Sequence, residues 1–65
     1  MQSNWTAEAV RDLRDRLGLT QQEFADSVGC TRQAIWLWET GQRHPVKIYQ
    51  RALDRIAQEH DDANG

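Results

Sequence analysis

The sequence predicts an all-α domain, a compact bundle of four or five short helices. Apolar residues recur at three- and four-residue spacing, and Gly or Pro punctuates each periodic stretch. No segment alternates polar and apolar residues as a half-buried strand would. At 65 residues the chain makes one small domain. Its core depends on close helix packing, on a partner subunit, or on both.

Thr6 is placed to N-cap the first helix, with Glu8 in the first turn, where negative charge complements the helix dipole. Trp5 and Val10 flank the cap at the spacing of a hydrophobic staple. Val10, Leu13 and Leu17 then form an apolar stripe, and Gly18 offers a left-handed stop. The expected helix runs over residues 7–17. Thr20 with Glu23 makes a capping box for the second helix, and Leu19 with Phe24 repeats the staple. Phe24, Ala25 and Val28 form its buried face, and Gly29 ends it. Thr31 caps the third helix, with Cys30 and Ile35 at staple positions; Ile35 and Trp38 share one face, and Gly41 is the expected terminator.

Pro45 suits the first position of a fourth helix, where a missing N–H is harmless. Ile48, Tyr49, Ala52, Leu53 and Ile56 give that helix a wide apolar face. Beyond Gln58 the residues EHDDANG carry no apolar anchor and are expected to fray. The expected division is a folded domain over 1–58 and a disordered tail over 59–65.

The net charge of −2 argues, on its face, against a polyanionic partner. Its distribution argues the other way. Residues 31–51 hold Arg32, Arg43, Lys47 and Arg51 against Glu39 alone, while acidic residues dominate 20–30 and the stretch from 52 onward. A positive field confined to one stretch is what a localised phosphate-binding face leaves, although a scattered solvated surface can produce the same pattern.

The single cysteine, Cys30, has no second thiol for an internal disulfide, which suits a reducing cytoplasm. No apolar run approaches the roughly 18 residues of a membrane span. The opening MQSNW also lacks the basic-then-apolar order of a secretory leader. The expectation is a soluble cytoplasmic protein with no membrane partner. His44 and His60 are the only histidines, no Cys/His/Asp cluster has metal spacing, and no glycine-rich phosphate loop is present. The chain is also too small to enclose a substrate pocket. An enzyme is the poorest fit; no cofactor, metal or small-molecule ligand is implied.

Between Val28 and Thr31 lie only Gly29 and Cys30, so the second and third helices must turn sharply against each other. A short turn containing Gly between steeply angled helices is the helix-turn-helix unit. Small Ala25 permits close approach, and Gly29, four residues on, can adopt the positive φ of the turn. The stretch VRDLRDRLGLTQQEFADSVGCTRQAIWLWETGQRHP resembles the lambda-repressor-like (Xre/Cro-type) helix-turn-helix family. Leu13-Arg14, Gly18-Leu19-Thr20-Gln21, Glu23, Ala25, Gly29, Ile35 and Trp38-Glu39-Thr40-Gly41 carry the resemblance, which covers residues 10 to 57. The W-E-x-G-x-R-x-P pattern and the small size are also similar to small phage-encoded regulators, including anti-CRISPR-associated repressors.

The resemblance implies a role for each matching position. Gln21, opening the second helix, would bind a DNA phosphate beside the helix dipole. Arg32, Gln33 and Leu37 match base-reading positions. Arg forks onto guanine and Gln onto adenine, whereas Leu37 departs from the polar residue often found there and suits a thymine methyl or a sugar. Trp36 is a second departure: it would stack on the sugar-phosphate backbone, donate its N–H to a phosphate, or face a partner subunit. Thr31, Thr40, Arg43 and Lys47 would complete the backbone contacts. Arg14 and Glu39 match a structural pair that fixes the angle of the recognition helix.

One such helix reads few base pairs, so a homodimer on an inverted repeat of double-stranded DNA, acting as a repressor, is expected, and the apolar face of the fourth helix, with Tyr49 and Ile56, offers the dimer surface. A second reading keeps the fold as a protein-binding module without DNA. Net acidity and the apolar pair Trp36 and Leu37 favour it. An antitoxin-like regulator with a toxin partner is also compatible with these residues.

Overall fold

The structure is a computed structural model that describes residues 5–64. Four helices follow one another: α1 (Ala7–Leu17), α2 (Gln21–Val28), α3 (Arg32–Glu39) and α4 (Lys47–Asn64). Among the described residues there is no strand.

Local side-chain chemistry sets the first three helices. Thr6 Oγ1 accepts the Ala9 N–H at 3.1 Å, and Gly18, at φ 70°, stops α1. The capping box of α2 is closed both ways: Glu23 N–H donates to Thr20 Oγ1 (3.1 Å), and Thr20 N–H donates to Glu23 Oε1 (2.9 Å). Thr31 Oγ1 accepts the Ala34 N–H at 3.1 Å and opens α3. Each cap satisfies an amide that the helix itself leaves unpaired. Thr40 is the C-cap of α3, and Gly41 turns the chain away at φ 79°.

All four helices contribute to one core. Val10 and Leu13 come from α1, Phe24, Ala25 and Val28 from α2, Ile35 and Trp38 from α3, and Leu53 and Ile56 from α4. The Trp38 and Tyr49 rings pack at a centroid distance of 5.4 Å, tilted by 49°. Trp5 covers the outside of this core, and its indole N–H donates to Asp54 Oδ1 at 2.8 Å, tying the segment before α1 to α4.

Three features of α4 differ from the sequence expectation. Pro45 lies two residues before the helix rather than at its first position. Its ring is buried, and its carbonyl accepts the Gln50 side-chain amide at 2.8 Å, while the Val46 carbonyl receives the first backbone bonds from Tyr49 and Gln50. Ile56, expected on a dimer surface, belongs to the chain's own core, because it shares the inward face with Leu53. The helix also continues through Asn64, past Gln58, where fraying was expected. Polar contacts take the place of an apolar anchor: Gln58 donates to Asp62 at 3.0 Å, and Arg16 Nη1 lies 3.7 Å from Asp61. Gly65, the last residue of the expected tail, lies outside the described residues.

Candidate nucleic-acid interface

The interface begins with how α3 is seated. Ile35, Trp38 and Glu39 point inward, which leaves Arg32, Gln33 and Trp36 exposed on the opposite face and Leu37 half-buried beside them. Three- and four-residue spacing makes these side chains neighbours on one helix surface. A cleft of about 430 Å³ opens here, lined by Gln21, Arg32, Gln33 and Trp36. It lies where α2 and α3 both begin, so the positive ends of two helix dipoles flank it. Among the described residues, none forms a hydrogen bond or ion pair with the side chains of Arg32, Gln33, Arg43 or Lys47. These donors are available to an external ligand.

Beneath the cleft, a polar network fixes the two helices. Arg14 donates from Nε to Glu39 Oε2 (2.7 Å) and from Nη2 to Glu39 Oε1 (3.0 Å), a two-pronged ion pair. Its Nη1 donates to the Leu19 carbonyl at 3.1 Å, between α1 and α2. The hydrogen bond to Glu39 pushes the guanidinium above its ordinary value, outweighing its desolvation. Glu39 Oε1 also accepts the Gln21 amide N–H at 3.2 Å. The end of α3 is thus tied to both α1 and the start of α2. A side-chain amide has two N–H donors, so Gln21 keeps one beside the cleft while the other holds Glu39.

Two expected backbone ligands serve the helix ends in this structure. The Thr31 oxygen caps α3. The Thr40 hydroxyl faces the Trp36 and Leu37 carbonyls, to which it donates at 2.9 and 3.2 Å, and it accepts from Gln42 at 3.2 Å. Arg43 and Lys47 are exposed along the segment that leads into α4.

Residues 5–63 match the model of a family described as a helix-turn-helix domain. The chain belongs to that family. An uncharacterized HTH-type transcriptional regulator of Methanothermobacter thermautotrophicus is 42% identical over 52 residues, spanning 78% of this chain and 75% of the relative. No solved structure matches.

In this helix-turn-helix, α2 and α3 meet through Gly29 and Cys30, whose N–H groups both donate to the Ala25 carbonyl (2.8 and 3.0 Å). Gly29 holds φ 91°, a left-handed conformation that glycine adopts without strain. Burial pushes the Cys30 thiol up, so it stays protonated at neutral pH. No helix is long and apolar enough to cross a membrane, and no group of acidic, His or Cys side chains suits a metal ion, both among the described residues.

The residue of α4 that sequence reasoning placed least well is Ile48. Val46 and Ile48 are 60% and 70% exposed, while Tyr49 is half-buried against Trp38 and Ile56 is buried. The helical phase held a signal. Ile48 is four residues from Ala52, but at 3.6 residues per turn it lies about 90° from the centre of the face made by Tyr49, Ala52, Leu53 and Ile56, at that face's edge.

Proposed function

We propose that this helix-turn-helix protein is a sequence-specific DNA-binding transcriptional regulator that inserts α3 into the major groove. Arg32 and Gln33 read purine edges, Leu37 meets an apolar group, and Gln21 with the starts of α2 and α3 holds phosphates. Thr31, Thr40, Arg43 and Lys47 extend the backbone contacts. The observation that carries this reading is the unengaged pair Arg32 and Gln33 at the leading end of α3, on the wall of a cleft open to solvent. The name of the 42% identical relative supports the regulatory role.

The finer reading is a homodimeric repressor on an inverted repeat, since one recognition helix reads too few base pairs for a unique site. Control of its own operon belongs to the same reading. The test is a gel shift with DNA upstream of the chain's own gene, using wild type and Arg32→Ala/Gln33→Ala. A shift that vanishes in the double variant, with circular dichroism unchanged, supports the reading. No shift at low salt overturns it. That result favours a protein-binding module instead, for which the exposed Trp36 and the net charge of −2 speak.

A further inference from the structure

The free face of α3 carries one large side chain that polar base reading leaves without a role. Trp36 is 46% exposed, whereas Ile35 and Trp38 of the same helix are buried in the apolar core and Ala34 packs against it. An indole left half in water keeps apolar area that a ligand can cover. It lines the same cleft as Gln21, Arg32 and Gln33. In the DNA-binding reading Gln21 and the start of α2 would meet a phosphate, and Arg32 and Gln33 would meet base edges.

In that reading the indole would share its cleft with both a phosphate ligand and base-reading side chains. In the major groove, the position a pyrimidine presents nearest its own backbone is C5, which carries a methyl group in thymine and hydrogen in cytosine. That methyl is apolar and offers no hydrogen bond, so an apolar surface is its complement. The charges beside Trp36 match the same occupant. Unpaired Arg32 lines the cleft with it, and Arg43 and Lys47 follow α3 without intramolecular partners among the described residues. An indole in basic company fits the edge of a nucleic acid better than an uncharged protein groove.

We propose that Trp36 is a specificity-determining residue that reads the C5 methyl of a thymine in the major groove. The inference rests on the DNA-binding reading above and adds a base preference that Arg32 and Gln33 do not supply.

The test starts with selection from a random duplex pool using the full chain. The enriched duplex is then remade with each thymine replaced in turn by deoxyuridine, which removes the methyl alone. Wild type is expected to lose about fourfold in affinity at a thymine so read, the worth of one buried methyl. Trp36→Ala, with helicity checked by circular dichroism, is expected to bind the thymine and uracil duplexes equally at that position. Equal wild-type affinity for every uracil duplex overturns the inference and leaves DNA binding standing. Discrimination that survives in Trp36→Ala at every thymine the wild type reads also overturns it, assigning the methyls to Leu37 or another side chain. Failure to enrich any duplex at low salt overturns the DNA-binding reading and this inference together.

Discussion

Arg14 and Glu39 stand 25 residues apart in sequence, yet Arg14 closes two hydrogen bonds on the Glu39 carboxylate, at 2.7 and 3.0 Å. The Glu39 side chain is 5% exposed and that of Arg14 21%, so the pair is largely shielded from water. Arg14→Ala leaves a buried carboxylate with only the Gln21 amide and is expected to destabilise the domain by about 3 kcal/mol. That is a large share of the roughly 3–10 kcal/mol that holds a chain of this size together. Arg14→Ala/Glu39→Ala should lose less than the two single changes combined, because no charge is then stranded. Urea titrations of the four proteins check this; strict additivity would show that the pair does not act as a unit.

Gly29 makes the turn between α2 and α3 at φ 91°, and a Cβ built there meets nothing within 4 Å. The expected effect of Gly29→Ala is therefore purely conformational, about 1–2 kcal/mol for holding an L-residue in the left-handed region. Gly29→Asn is expected to lose less, since asparagine tolerates that region. Thermal melts of both variants provide the comparison. Equal losses would point to a steric cause that the open space around Gly29 does not contain.

The legible parts of this fold are those governed by neighbours in sequence. Thr6, Thr20 and Thr31 each cap a helix three residues before the amide they accept, so the chain itself displays the helix starts. The pairing of Arg14 with Glu39 was readable only through family resemblance, because nothing local joins residues 25 positions apart. The end of α4 was not readable, because what holds it includes Arg16 of α1, a partner chosen by tertiary packing. Pro45 was misplaced for a similar reason: the Gln50 side chain takes its carbonyl, and the helix starts later. In the candidate site, residue types indicated which side chains carry chemistry. Geometry was needed to show that Gln21 is engaged with Glu39, whereas Arg32 and Gln33 are not engaged at all.

The two isoleucines of α4 separate core from surface. Ile56 is 9% exposed within the core and Ile48 is 70% exposed. Ile56→Ala is expected to destabilise by about 2–4 kcal/mol, through lost burial and the cavity left behind. Ile48→Ala should stay within about 0.5 kcal/mol of wild type. Denaturant midpoints of the two variants decide the matter. Comparable losses would mean that Ile48 is covered in solution.

Cys30 offers a pH readout of the turn. Burial raises its thiol pKa above that of the unfolded chain. Its contribution to stability is therefore fully present below the unfolded thiol's pKa, and is lost as pH rises from there through the higher native value. Alkylation by iodoacetamide, which needs the thiolate, is expected to be slow at neutral pH and to quicken only at pH values above those at which a free cysteine reacts. Mass spectrometry across a pH series measures this. A reaction at neutral pH as fast as that of free cysteine would show the thiol to be solvated and the α2–α3 turn to be open in solution.

Salt dependence distinguishes holding a duplex from reading it. Each lysine or arginine that neutralises a phosphate contributes about 0.9 to the slope of log affinity against log salt. Arg43 and Lys47 are exposed and unpaired among the described residues, so as backbone contacts they act alike on every sequence. Lys47→Gln is expected to flatten the slope by about 0.9 and to weaken binding uniformly across sequences. Arg32→Gln, at the leading end of α3, is expected instead to reduce the ratio of specific to non-specific affinity, because a guanidinium fork on guanine is what distinguishes that base. Affinities of both variants for an enriched and a scrambled duplex over a salt series separate the roles. If Lys47→Gln lowers specificity while Arg32→Gln changes only the slope, the two residues have exchanged places, and α3 does not lie in the groove by its leading end.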